Sequence, residues 1–181
     1  MTAGPRERLI ESAITLIREH GVHGTGLTEL LTHSKTARGS IYQHFPGGKT
    51  ELIEHATLSA GEQMSALIEA RADSPSALIA TLVRWWKRTL EASDYRFGCP
   101  VVAAALAEQT AAATVFEEWE RRLAASLTAA GMDEAEAPSM ATFIVSAIEG
   151  AIIQSRSTKS PRPLDAADTQ LQKLLTLHLG S

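Results

Sequence analysis

The sequence predicts an all-α chain of about nine helices, and three observations carry that prediction. Ala and Leu are abundant while strand-forming residues are sparse. Apolar residues recur three and four positions apart in segment after segment, which is the period of a helix with one buried face. Breaks bearing Pro, Gly or Ser separate those segments, and neither an internal repeat nor a low-complexity linker interrupts them. At 181 residues and 44% apolar composition the chain can bury a sizeable core, which excludes a disordered protein.

Pro5 opens the first helix, which should run to His20 before Gly21, with Leu9, Ile10, Ala13, Ile14, Leu16 and Ile17 as its buried stripe. Gly21 to Gly26 reads as a glycine-rich loop. A short helix from Leu27 to about His33 follows, burying Leu27, Leu30 and Leu31, and Ser34-Lys35-Thr36 makes a turn. A second short helix covers Ala37 to about His44, with Ala37, Ile41 and Phe45 inward. After the Pro46-Gly47-Gly48 turn a long helix runs from Lys49 to about Arg71 along Leu52, Ile53, Ala56, Ala60, Met64, Leu67 and Ile68. Ser74 caps the next helix before Pro75, and Leu78, Leu82, Val83, Trp85, Trp86 and Leu90 follow on it. Pro100 opens a small-residue helix over Val101 to about Gln109, and another spans Ala112 to Ala130 with Val115, Phe116, Trp119, Leu123 and Leu127. Glu134–Ser155 is strongly apolar, Ser157–Pro163 reads as a loop, and Ala166–Leu179 closes the chain.

The most informative stretch is Arg38-Gly39-Ser40-Ile41-Tyr42-Gln43-His44-Phe45, followed after the turn by Lys49. A short helix with a polar outer face, joined by a tight turn to another short helix, is how a helix-turn-helix reads in sequence. Its second helix has the width to enter the major groove of DNA. Gly39 inside so short a helix costs roughly 1 kcal/mol relative to Ala, which points to a close approach by another surface. Lys49 stands where its ammonium and the amides of the helix it opens can share one phosphate.

Charge is divided along the chain. The net charge is −4, yet residues 1–50 carry +2 and the remainder −6, and four of the six histidines fall in the first fifty residues. A mildly basic head on an acidic body fits a head that meets phosphate. The single cysteine, Cys99, excludes an intrachain disulfide and zinc-finger spacing. No apolar run approaches the roughly 20 residues of a membrane span. The first residues also lack the apolar segment of a signal peptide. These features predict a cytoplasmic bacterial protein with no membrane partner.

The three short N-terminal helices, the Tyr-x-His-Phe ending at Tyr42-Gln43-His44-Phe45 and Lys49 after the glycine turn resemble the tetracycline-repressor (TetR) family of regulators. The Phe45-Pro46-Gly47-Gly48-Lys49 turn and Gly98-Cys99-Pro100 are similar to its LmrA/YxaF-type branch. The resemblance implies residues 1–50 as a DNA-binding domain and 51–181 as a ligand-binding and dimerisation domain. It implies a homodimer on a palindromic operator, with half-sites about 34–36 Å apart. Arg38 is then the main base reader, with Thr36, Ser40 and Gln43 beside it; Ala37 and Gly39 lie in the same contact stretch. Tyr42, His44, Lys49 and Thr28 hold phosphates. The chain departs from the family at Lys35, where a small residue or glycine is usual, and at Gly26-Leu27, where hydroxyls are usual and only Thr25 and Thr28 remain.

The resemblance also implies a small-molecule effector, with repression as the usual direction of regulation. Met64, Trp86, Phe97, Val102, Phe116, Trp119 and Phe143 are the candidate lining, so the effector would be hydrophobic or aromatic. Aromatics at helical spacing also serve as plain core. Glu134–Ser155 and Ala166–Leu179 are the candidate dimer surface, as a four-helix bundle in which Ala147, Gly150 and Ala151 permit close approach.

An enzyme is the rival class, but no nucleophile elbow, phosphate loop or HExxH spacing occurs, so no catalytic residue and no cofactor is expected. Cys99 before Pro100 reads either as an activated thiol at a helix start or as a small packing residue. His20, His23 and His33 have no metal-ligand spacing and read as solvated or capping side chains, so no metal is expected. A helical interaction module without DNA binding is favoured only by Lys35.

Overall fold

The computed structural model describes residues 4–180, and among them nine α-helices and no strand. They are α1 (Pro5–Gly24), α2 (Leu27–Ser34), α3 (Ser40–His44), α4 (Lys49–Glu69), α5 (Pro75–Ala92), α6 (Pro100–Ala105), α7 (Thr110–Ala129), α8 (Ala137–Thr158) and α9 (Arg162–Leu179). They fall into two compact units. The first reaches to Glu62 and takes in Cys99–Val115; the second comprises Gln63–Gly98 and the chain from Phe116 onward.

The first unit is built on α1. Its Leu9, Ala13, Leu16 and Ile17 are buried, and α1 packs against α2, α3 and α6. Leu30 from α2, Ile41 from α3, and Val101 and Ala104 from α6 are each almost wholly buried. Gly21 adopts φ 73°, ψ 174°, so the regular helix stops at His20 and a separate turn carries the chain to Gly24. A side chain at that φ would be strained, which is why glycine stands there. The Thr25 hydroxyl, fully buried, donates to the Gly21 carbonyl at 2.7 Å and closes that turn.

In the second unit α5, α8 and α9 pack on one another. Leu78, Ile79 and Leu82 of α5, Ile144 and Ile152 of α8, and Leu164, Leu171 and Leu175 of α9 supply its core, joined by Leu123 and Leu127 of α7. Ser74 accepts a hydrogen bond from the Ala77 N–H ahead of Pro75, the N-cap its position predicts. Polar ties cross between elements: Lys87 to Asp165 at 2.6 Å, and the Gln172 amide to the Ser76 carbonyl at 3.0 Å. The Ser126 hydroxyl donates to the Ala72 carbonyl at 2.5 Å.

Several expected boundaries are corrected. Leu27 is 37% exposed instead of buried, because it stands at the first position of α2, outside the stripe that Leu30 leads. The helix expected over Ala37–His44 is shorter, and Ala37 is exposed where an inward position was expected. Ser40 donates to the Ala37 carbonyl at 2.9 Å, so residues 37–39 make a tight turn before the helix begins. α6 stops at Ala105, since Glu108 adopts φ 56° and turns the chain toward α7. The loop expected over Ser157–Pro163 shrinks to residues 159–161. Lys159, at φ 48°, closes α8 by donating to Ser155, and Pro163 sits in the first turn of α9, where a missing N–H costs nothing.

α8 also corrects the expectation that no apolar run has membrane-spanning length. Its 22 residues, with a mean hydropathy of 1.3, pass on length and composition, and only 33% of that window is buried. It packs against α5 and α9, the behaviour of a core helix with one uncovered side.

Candidate nucleic-acid interface

The geometry of the helix-turn-helix starts at the end of α2. Lys35 takes the left-handed conformation, φ 53° and ψ 44°, and its N–H donates to Thr32 at 3.3 Å. The Thr36 N–H reaches back to Leu31 at 3.2 Å. These two bonds are a Schellman closure, in which the last helix carbonyls are satisfied by the residues that leave the helix. Arg8 on α1 adds its Nε–H to the Ser34 carbonyl at 3.1 Å. The Ser34 and Thr36 hydroxyls bond each other at 2.7 Å. The turn is thereby held by backbone and side chain together.

α3 then follows as a helix of five residues, too short to hold itself. It is pinned from below by Ile41, 1% exposed, and by Phe45, fully buried at its C-terminal end. The Arg6 guanidinium lies 5.3 Å from the centre of the Phe45 ring, within cation–π range, and the His55 ring tilts against it at 5.5 Å. Arg6 and the His55 Nδ1 are 3.3 Å apart. The exit turn is fixed by Gly48 at φ 70°, whose N–H donates to the Phe45 carbonyl at 2.8 Å, and by the Gly47 N–H on the Glu51 carboxylate at 2.6 Å. A Cβ on Gly48 would lie 3.4 Å from the Tyr42 ring.

With Ile41 and Phe45 inward, the outer surface carries Ala37, Arg38, Gly39, Tyr42 and Gln43, all exposed, with Ser40 and His44 at its half-buried margin. Tyr42 is 61% exposed, an unusual position for a phenol that nothing covers. Thr28 is exposed on the first turn of α2. Most of the expected contact residues are thus exposed; beyond Ser40 and His44 there are two exceptions. Thr36 is half-buried and its hydroxyl is engaged by Ser34. Lys49 donates its Nζ–H to the Val22 carbonyl at 2.9 Å and is half-buried, so part of its donor capacity ties α4 to the turn after Gly21. Arg6, Arg8 and Val22 escaped the sequence reading because their partners lie 26 or more residues away.

The other polar candidates have structural roles. His20 sits 3.4 Å from Glu29, and His33 bonds Ser12 at 2.9 Å. Among the described residues no three His, Cys, Asp or Glu side chains converge on a metal position. Cys99 is buried at the start of α6, the environment of a packing thiol. Burial pushes the Arg18 guanidinium below its ordinary value.

The second unit contains an apolar cleft of about 370 Å³, counting its part open to solvent. Of the seven residues nominated for a ligand site, Met64, Trp86 and Trp119 line it, together with Leu82, Leu123 and Ile148. Phe97, Val102 and Phe116 are not on its wall; Val102 belongs to the first unit, and Phe116 instead meets Trp119 edge-on at 5.6 Å. Phe143 is corrected outright. It is 51% exposed, whereas its neighbour Ile144 faces the cleft, because one residue turns a helix by about 100°.

Known proteins share both halves. Residues 9–56 match the family described as bacterial regulatory proteins, tetR family. Residues 75–170 match the LmrA/YxaF-like transcriptional regulator C-terminal domain. The chain is 37% identical to the uncharacterized HTH-type transcriptional regulator Rv0196 of Mycobacterium tuberculosis, covering 97% of this chain and 96% of that protein. It is 33% identical to the uncharacterized HTH-type transcriptional regulator YxaF of Bacillus subtilis, over 88% of each. A TetR transcriptional regulator from Legionella pneumophila superposes with a TM-score of 0.84 at 19% identity, over 96% of this chain and 98% of that one. Buried plug, exposed polar helix and full-length relatives converge: the chain belongs to the TetR family of DNA-binding transcriptional regulators, with a C-terminal domain of the LmrA/YxaF type.

Proposed function

We propose that this protein is a cytoplasmic repressor that binds a palindromic operator as a homodimer and leaves it when a small effector occupies the body. The observation that carries the reading is the exposed face of Arg38, Gly39, Tyr42 and Gln43 above a plug of Ile41 and Phe45. Arg38 has the fork needed for paired hydrogen bonds to guanine, with Ser40 and Gln43 as further readers. Tyr42, His44, Thr28 and the remaining N–H donors of Lys49 set the register on phosphates. Functionally, residues 1–50 are the reading head and 51–181 the effector and dimer body.

The dimer reading is supported by α8. Phe143, Ala147, Gly150 and Ile153 share one side of it, opposite the buried Ile144, Ile148 and Ile152. A Cβ on Gly150 would meet nothing, and Phe143 and Ile153 are each about half exposed. Leu177 of α9 is 79% exposed. Apolar side chains displayed in this way mark a contact surface, and equivalent helix pairs from two subunits make a four-helix bundle. The effector reading rests on the cleft between Trp86 and Trp119. A ligand that binds there releases DNA only if it prefers the subunit conformation that binds operator poorly.

Selection of the protein against random duplex DNA at low and high salt tests the proposal. Enrichment of one palindrome, with affinity falling steeply as salt rises, is the expected result. A folded protein that enriches no sequence overturns it.

A further inference from the structure

We infer that His55 is a positioning residue for DNA reading, one that makes DNA affinity fall as pH falls. Its neutral imidazole holds the Arg6 guanidinium on Phe45, and its protonated form releases it. This rests on α3 as the reading helix and adds a control beneath it. The His55 ring is faced by Arg6 from α1, by the Phe45 ring at the end of α3, and by Glu51 one turn earlier on α4. Arginine only donates, so the 3.3 Å contact from the Arg6 Nη2 requires a bare Nδ1, and the ring proton then sits on Nε2. Nε2 is 4.0 Å from the Glu51 Oε1, while the Glu51 Oε2 takes the Gly47 N–H of the exit turn. One run of contacts therefore joins the first turn of α1 to the turn that follows α3. A second proton would occupy Nδ1, the atom that receives Arg6, and would set two cations against each other. Glu51 offsets only part of that repulsion, since it faces the opposite edge of the ring and is engaged by Gly47. Arg6 then leaves the Phe45 ring, whose burial holds α3 by its C-terminal end.

The test uses the full chain and the palindrome enriched by the selection above. Affinity is measured at about pH 8 and about pH 6, the interval in which histidine changes charge, at constant ionic strength. Wild type should lose at least about threefold more affinity over that interval than His55→Gln, whose amide oxygen can accept from Arg6 and does not titrate. The other histidines are common to both proteins, so their contribution cancels. Arg6→Met keeps an apolar chain beside Phe45 with no cation to repel, and it should flatten the profile in the same way. That second comparison decides the matter if His55→Gln folds poorly. A merely structural role would lower affinity equally at both pH values. A pH profile that both variants share with wild type overturns the inference and leaves α3 as the reading helix. A selection that enriches no palindrome overturns both.

Discussion

Lys35 stands in a left-handed conformation at the end of α2, where its closure sets the angle at which the chain enters α3. A side chain in that region costs roughly 1–2 kcal/mol relative to glycine. Lys35→Gly should therefore stabilise the protein by about 1 kcal/mol, after the extra entropy of glycine in the unfolded chain is deducted. Urea denaturation checks it, and a loss of stability would show that the lysine side chain makes a compensating contact. Three residues later Arg38 faces outward without a structural duty in the turn. Arg38→Ala should relax preference at one base pair at a cost of roughly 1–3 kcal/mol, whereas Lys49→Ala should weaken all sequences alike and lower the salt slope. Competition binding on operator variants separates the two. Because Lys49 also holds the Val22 carbonyl, its variant should lose thermal stability as well, and Arg38→Ala should not.

At the scale of elements, α4 and α7 meet at Gly61. A Cβ there would lie 2.6 Å from both methyl carbons of Val115, so the contact leaves no room for alanine. Gly61→Ala should destabilise by about 1–3 kcal/mol through overpacking, and Val115→Ala in the same chain should recover much of it. A thermal-unfolding double-mutant cycle reads that coupling. Further along α7, Glu118 accepts from Arg121 at 2.8 Å and from Arg122 at 2.5 Å, while Arg122 also reaches Glu69 at 2.9 Å. Those hydrogen bonds hold the Glu118 carboxyl down from 4.5 to about 2. A depressed folded-state value means that the contribution is complete above the ordinary carboxylate range and is lost as pH falls from about 4.5 toward 2. The cluster is exposed, so the effect is small. The Tm gap between wild type and Glu118→Gln should be measurable at pH 7 and absent near pH 2.

The helical periodicity of the sequence located α1, α4 and α5 closely, because long amphipathic helices repeat their signal over several turns. It overran α3, where five residues leave no room for a period and the decisive contact is a turn between Ser40 and Ala37. The outward set at residues 38–44 was legible from residue types alone. The supports beneath it, Arg6 on Phe45 and Arg8 on Ser34, were not, since nothing local in sequence announces a partner on another helix. The cleft was half legible for a related reason: pattern separates buried from exposed faces but does not say which buried side chains leave a gap, and Phe143 beside Ile144 was assigned to the wrong side.

For the molecule as a whole, the open side of α8 sets the oligomeric prediction. Phe143→Asp with Ile153→Asp places two charges on that side and disturbs no buried residue. Sedimentation should then show a monomer with wild-type helix content, and operator affinity should fall steeply because the two reading heads are no longer linked. A variant that remains dimeric places the interface elsewhere.

The brevity of α3 has a consequence in time. An isolated helix needs about 12–15 residues to persist in water, and this one has five, so it orders only once the pocket that receives Ile41 and Phe45 exists. Long helices can regain their ellipticity early in refolding while the reading surface is still unformed. If α3 reads DNA as proposed, recovery of DNA binding should lag the recovery of ellipticity in a refolding experiment.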